Sequence, residues 1–253
     1  MKPVFFVIGA GAGIGGHVAK RFARAGYHAV LCRRSDEEGL STLVAEIEGD
    51  GGSASGHLLN AVEEDSIEER VAAVEAEVGP IEVVLYNLGA QIGNRSLEET
   101  SLKAFELGWR LGTFGLFRTA RAVCPLMAGR GKGTILVTSS TAAVRGNAGQ
   151  HSHAAAMGGR RMLCQSLNAQ YAPKGIHIAH IVVDGSVDAP DTLGKLLGPE
   201  RFRELRETRG AEDGLMLPEK MAETYFHIAQ QHRSVWTHEL DMRSFSDLAW
   251  WNH

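Results

Sequence analysis

Cysteine is scarce. Three cysteines in 253 residues, at positions 32, 124 and 164, lie too far apart to form a disulfide framework or a cluster of zinc ligands. A reducing cytoplasm is the plain expectation. No apolar run approaches the roughly 20 residues a membrane span requires, and the apolar stretch after Met1-Lys2-Pro3 is too short for a signal peptide. An excess of basic residues is also missing. Lys and Arg number 26 against 30 Asp and Glu, a net charge of −4 that argues against a nucleic-acid surface. None of the histidines forms a His-x-x-x-His pair with an acidic partner, and His151 and His153, two apart, diverge on a helix, so no metal site is expected. Repeats, linkers and low-complexity tracts are absent as well, and with 44% hydrophobic residues the chain reads as one folded domain over 1–253.

What the sequence does have is glycine, 30 residues of it, and a regular alternation of short apolar runs with amphipathic segments. The runs predict strands at 4–8, 29–32, 53–58, 83–86, 134–138 and 177–183; helices are predicted at 15–25, 37–49, 64–78, 101–128 and 151–171. Runs such as Val-Phe-Phe-Val-Ile are apolar throughout, as in strands covered on both faces. The rhythm predicts an α/β fold, a doubly wound parallel sheet with helices on both faces and a ligand crevice at the carboxyl ends of the strands. Residues 189–218 carry charge, glycine and proline without a strand, and are expected either to cover that crevice as a substrate lid or to make a plain surface excursion.

Between the first strand and the first helix lies Gly9-Ala10-Gly11-Ala12-Gly13-Ile14-Gly15-Gly16. Glycines there allow a tight turn and close backbone approach to a pyrophosphate, and the helix start offers N–H groups to the anion. The second strand ends in Cys32-Arg33-Arg34, where an NAD site usually carries an acid for the ribose hydroxyls. Arginine at that point favours a 2′-phosphate, hence NADP over NAD, unless Arg33 and Arg34 are merely solvated charges.

The glycine pattern, with Asn60-Ala61, Tyr86-Asn87-Leu88-Gly89 and Lys174-Gly175-Ile176-His177, resembles the short-chain dehydrogenase/reductase family, whose fold is Rossmann-like. The resemblance implies cofactor contacts from Gly9, Gly11, Gly13, Ile14, Gly15, Arg33, Arg34, Asn60, Ala61, Asn87 and Gly89. Asp184-Gly185 stands where the family has Pro-Gly, and it implies that Val187 touches the nicotinamide carboxamide. It also implies a catalytic Asn, Ser and Tyr-x-x-x-Lys. Here Ser140 matches the serine, but Gly112 stands at the asparagine, His153 at the tyrosine and Met157 at the lysine. His153 is a competent acid or base near neutrality, whereas Met157 offers no charge. Two expectations follow. One is an NADP(H)-dependent oxidoreductase of a small carbonyl or alcohol with an altered proton path. The other is a dinucleotide-binding pseudoenzyme acting as a sensor or partner subunit. A lyase or dehalogenase on this scaffold is a third, disfavoured because such a site is expected to lose the glycine loop. The family's helix pairing implies a homodimer or homotetramer through 101–128 and 151–171, where Ala154, Ala155, Ala156, Gly158 and Gly159 permit close packing. The walls of the substrate pocket are expected from 90–97, 141–150 and 187–216.

Overall fold

The computed structural model describes residues 2–89 and 93–252. Seven parallel strands, β1 (Val4–Ile8), β2 (His28–Arg33), β3 (Ser53–Leu58), β4 (Ile81–Tyr86), β5 (Gly133–Ser140), β6 (Ile176–Asp184) and β7 (Glu239–Arg243), form one sheet in the order β3-β2-β1-β4-β5-β6-β7. The order reverses between β1 and β4, which creates the crevice at the carboxyl ends. Each predicted strand is present, with ends moved by a few residues.

Alternate residues of β1 explain the two layers. Phe6 and Ile8 face a core shared with α3 (Ser66–Glu77), α5 (Gly115–Arg130) and α6 (His151–Tyr171). Phe5 and Val7 face the other core, shared with α1 (Ile14–Arg24), α2 (Glu37–Gly49) and α9 (Pro218–Ala229). Phe5 stacks on Phe22 of α1 with ring centroids 3.9 Å apart. Helix starts are set locally: the Asp36 side chain accepts from Gly39 N at 2.9 Å to cap α2, and Ser101 caps α4 (Leu102–Trp109). All three cysteine thiols are free and buried, and burial pushes each up to about 12. No described helix is long and apolar enough to cross a membrane.

Three features depart from the sequence reading. The helix expected over 101–128 is interrupted by a π-helical turn at Arg110–Phe114, which separates α4 from α5. The seventh strand, Glu-Leu-Asp-Met-Arg, was not expected because it carries three charges and no β-branched residue; its pairing with β6 forms it. Residues 189–218 are largely helical, with a π turn (Pro190–Gly194), α7 (Lys195–Leu197) and α8 (Pro199–Thr208), returning to the sheet edge through a Val187–Met216 bridge.

Candidate cofactor and active site

At the adenosine end, the loop after β1 turns only because side chains are missing. Gly9 takes φ +102°, and a Cβ at Gly15 would lie 2.2 Å from the Gly9 carbonyl oxygen. No side chain caps the start of α1, and Ile14 is its first residue. Asn87, just past β4, donates through its Nδ2 to Gly9 O at 3.0 Å and ties the two strand ends together. Gly89 beside it is exposed. Arg33 closes β2 with a side chain only 13% exposed, paired to Asp36 at 2.9 Å and to Asp191 at 3.2 Å. Arg34 is exposed. Asn60 donates to Glu63 at 2.9 Å, and the Ala61 carbonyl accepts from Arg118, which is also paired with Glu68. A cavity of about 500 Å³, lined in part by Ala12, His17, Lys20, Arg33 and Asp191, opens next to Arg33.

The residues present fit a dinucleotide phosphate at this end. The loop is free of bulky side chains at a helix start whose N-cap residue makes no side-chain bond, with a guanidinium beside it.

The substrate end is built differently. Ser140 is the last residue of β5, and His153 lies in the first turn of α6. Ser140 Oγ and His153 Nε2 share a hydrogen bond of 3.0 Å. Ser152, beside His153, is spent on the Phe105 carbonyl at 3.3 Å. Met157 is buried, with its Sδ 3.8 Å from Ser139 Oγ, among Ala142, Ala143 and Ala156. It fills the place with sulfur and methyl, not charge. Gly112 sits buried in the π turn and contributes only backbone.

The residue that sequence reasoning missed is Arg160. Arg160 is 1% exposed, and among the described residues no carboxylate is bonded to it. Nε donates to Gly112 O at 2.8 Å, Nη2 to Leu88 O at 2.8 Å, and Nη1 to Thr138 O. Arg160 thus holds the π turn and the carboxyl ends of β4 and β5 to α6. It also lies 5.2 Å from the centroid of the Tyr86 ring. The Tyr86 hydroxyl donates to Leu111 O, and the space for that hydroxyl exists because residue 115 is glycine: a Cβ there would lie 2.2 Å from it. A signal was available. His153, Met157 and Arg160 stand at i, i+4 and i+7 on one helix face.

Loops close this end. Residues 90–92 of the expected wall lie outside the described residues. Arg145, in the loop after β5, donates to Trp250 O at 2.7 Å, while Trp250 N donates to Asp184 Oδ2 at 2.9 Å. Asp184, at the position the family gives to proline, therefore anchors the C-terminal segment. Trp250 packs there half-buried, with Trp251 more exposed beside it. Val187 lies in the bridge to Met216.

A family model described as short chain dehydrogenase matches residues 3–192. The chain is 28% identical over 238 residues to a 3-oxoacyl-acyl-carrier-protein reductase of Thermotoga maritima, covering 92% of this chain and 93% of that protein. A short-chain dehydrogenase from Rhodopseudomonas palustris superposes with a TM-score of 0.79 at 32% identity, over 95% of this chain and 98% of that one. A gluconate 5-dehydrogenase from Burkholderia cenocepacia, solved in complex with NADP and tartrate, shares the fold at a TM-score of 0.80 and 22% identity, over 95% and 93% of the two chains.

Proposed function

The chain belongs to the short-chain dehydrogenase family, and from that premise we propose an NADP(H)-dependent oxidoreductase of a small carbonyl or alcohol, with His153 in the proton-transfer role. The observation that carries this reading is the 3.0 Å contact between Ser140 Oγ and His153 Nε2 at the carboxyl end of β5. When bound, the dinucleotide supplies or accepts the hydride. Gly9, Gly11, Gly13, Ile14 and Gly15 would hold its pyrophosphate, Arg33 its 2′-phosphate, and Asn60, Ala61, Asn87, Gly89 and Val187 would line its length. Ser140 orients the substrate oxygen by hydrogen bonding. His153 gives or takes a proton at Nε2, the atom that already faces Ser140. Met157 and Gly112 carry no proton and shape the floor.

NADP is favoured over NAD by Arg33, and the gluconate 5-dehydrogenase of the same fold was solved with NADP. Self-association is proposed through α4, α5 and α6, where Phe105, Trp109, Phe117 and Met162 are each at least 41% exposed; homodimer and homotetramer both use such a face. Three free buried thiols suit a reducing cytoplasm. The test is an equilibrium titration with NADPH and NADH by tryptophan fluorescence, followed by NADPH oxidation across a carbonyl panel. Tighter NADPH binding with turnover is the expected outcome. Binding without turnover on any carbonyl would identify a dinucleotide-binding protein that does no chemistry, and binding of neither nucleotide would overturn the reading.

A further inference from the structure

The segment that leaves β6 folds back over the glycine loop. Ala189 is buried so closely that a Cβ on Gly13 would lie 2.9 Å from its own Cβ. Two residues on, Asp191 Oδ2 accepts from Ala12 N at 3.3 Å and from Arg33 Nη2 at 3.2 Å, and Lys195 approaches its other oxygen at 3.5 Å. Arg33 is the side-chain donor that the dinucleotide reading assigns to the 2′-phosphate, and Ala12 N lies inside the glycine loop that it assigns to the pyrophosphate. A carboxylate from the chain itself holds both. Burial would push the Asp191 carboxyl up, but the Ala12 bond, Lys195 and Arg33 together keep it below the ordinary carboxylate value, so it is an anion at neutral pH.

Arg33 already has a second carboxylate, Asp36, at 2.9 Å. One guanidinium facing two carboxylates has no charge left for a doubly charged phosphate. One of the two must leave, and Asp191 is on the movable side. Its segment is anchored before it by the Val187–Met216 bridge and followed by Gly198, which takes φ +83° with open space around it. The cavity of about 500 Å³ beside Arg33 is lined by Asp36, Glu38, Glu46 and Asp191 as well as by Lys20 and Arg33, so withdrawal of the Asp191 carboxylate makes it less hostile to a phosphate.

We propose that Asp191 is a tethered stand-in for the cofactor phosphate: it holds residues 189–197 closed over the glycine loop and competes with the 2′-phosphate for Arg33, setting the preference between NADPH and NADH. The proposal rests on the dinucleotide reading above. It extends the lid expected over 189–218 by placing its latch on the cofactor and not on the substrate. Carboxylate and phosphate exchange on the same donors, so cofactor arrival and opening are one event. The apparent Kd is then the intrinsic Kd divided by the fraction of molecules that are open.

The experiment compares wild type with Asp191→Asn and Asp191→Ala, measuring Kd for NADPH and NADH by calorimetry and amide hydrogen exchange over 189–198 without nucleotide. Both variants are expected to bind NADPH about three- to tenfold more tightly, as befits loss of a few partly exposed ion pairs. NADH should gain less than NADPH, because an open glycine loop helps both nucleotides but only NADPH brings a 2′-phosphate to Arg33. Exchange over 189–198 should quicken in the variants. An unchanged or weakened NADPH affinity in both variants overturns the proposal while leaving the dinucleotide reading intact. Selective weakening of NADH would also overturn it, and would make Asp191 an acceptor for ribose hydroxyls. Failure of wild type and variants alike to bind either nucleotide would overturn the dinucleotide reading itself, and this inference with it.

Discussion

The two ends of the cleft are built by different means. On the reading proposed above, the adenosine end relies mostly on backbone, through a helix start with no side-chain cap and a loop that tolerates no Cβ at Gly15, with Arg33 beside it. At the substrate end the work falls to side chains, and there His153, Met157 and Gly112 stand in a frame made for other groups. A site made of backbone changes only when the chain path changes, whereas one made of side chains can be rebuilt residue by residue on the same path. With no lysine at 157, a buried arginine one turn along α6 ties three carbonyls together, one of them that of Gly112.

The strongest way to break this comparison is at His153. His153→Ala should lower turnover by about 10²–10⁴ while leaving the NADPH Kd within about twofold, the range expected for loss of a positioned acid or base. Equal turnover in steady-state assays would remove the imidazole from the mechanism. Next is Arg160→Met, which leaves three buried carbonyls without donors. It should destabilise the fold by about 3–5 kcal/mol in urea denaturation, and Arg160→Lys should recover only part of that, because an ammonium lacks the planar fork.

Acid probes the rear of the same end without mutation. His180, on β6 with Glu239 at 3.0 Å, is lowered to about 4, chiefly by burial, with Arg160 and Arg161 adding to the fall and Glu239 opposing it. The unfolded chain takes up that proton near 6.5 and the folded chain only near 4. Its contribution is therefore complete above pH 6.5 and lost as the pH falls from 6.5 toward 4. The loss is on the order of 3 kcal/mol at most, and His177, lowered mainly by burial, acts in the same direction. Melting temperatures across that range should fall in wild type and fall less steeply in His180→Gln. The smallest effect belongs to the adenosine end: Arg33→Ala should cost NADPH about tenfold in affinity and NADH little. Equal losses for both nucleotides in a titration would show that Arg33 does not distinguish them.

Six of the seven strands and the glycine loop were legible in the sequence because their causes are local. β-branched runs, period and turn residues act over a few positions. β7 was not legible, since its stability comes from β6 and not from its own composition. The break at Arg110–Phe114 was hidden for a similar reason: its residues suit a continuous helix, and the turn widens where Tyr86 and Arg160 take the carbonyls of Leu111 and Gly112. Ser140 and His153 were singled out through the family resemblance, and the 3.0 Å between them follows from β5 and α6 meeting at that point. Asp191 could not be anticipated at Arg33, because the two are 158 positions apart and meet only through the return of the chain after β6.

Tyr86 and Gly115 restrict the order in which this protein can change. A methyl group at 115 would fall 2.2 Å from the Tyr86 hydroxyl and 3.3 Å from the ring carbon that bears it. Any larger residue at 115 must therefore wait until the tyrosine has given way, while the reverse step, a smaller residue at 86, opens a void but meets no obstacle. The pair works as a ratchet, so descendants of this sequence reach an alanine at 115 by one route and not by the other, and the two substitutions made together should be milder than the sum of each alone.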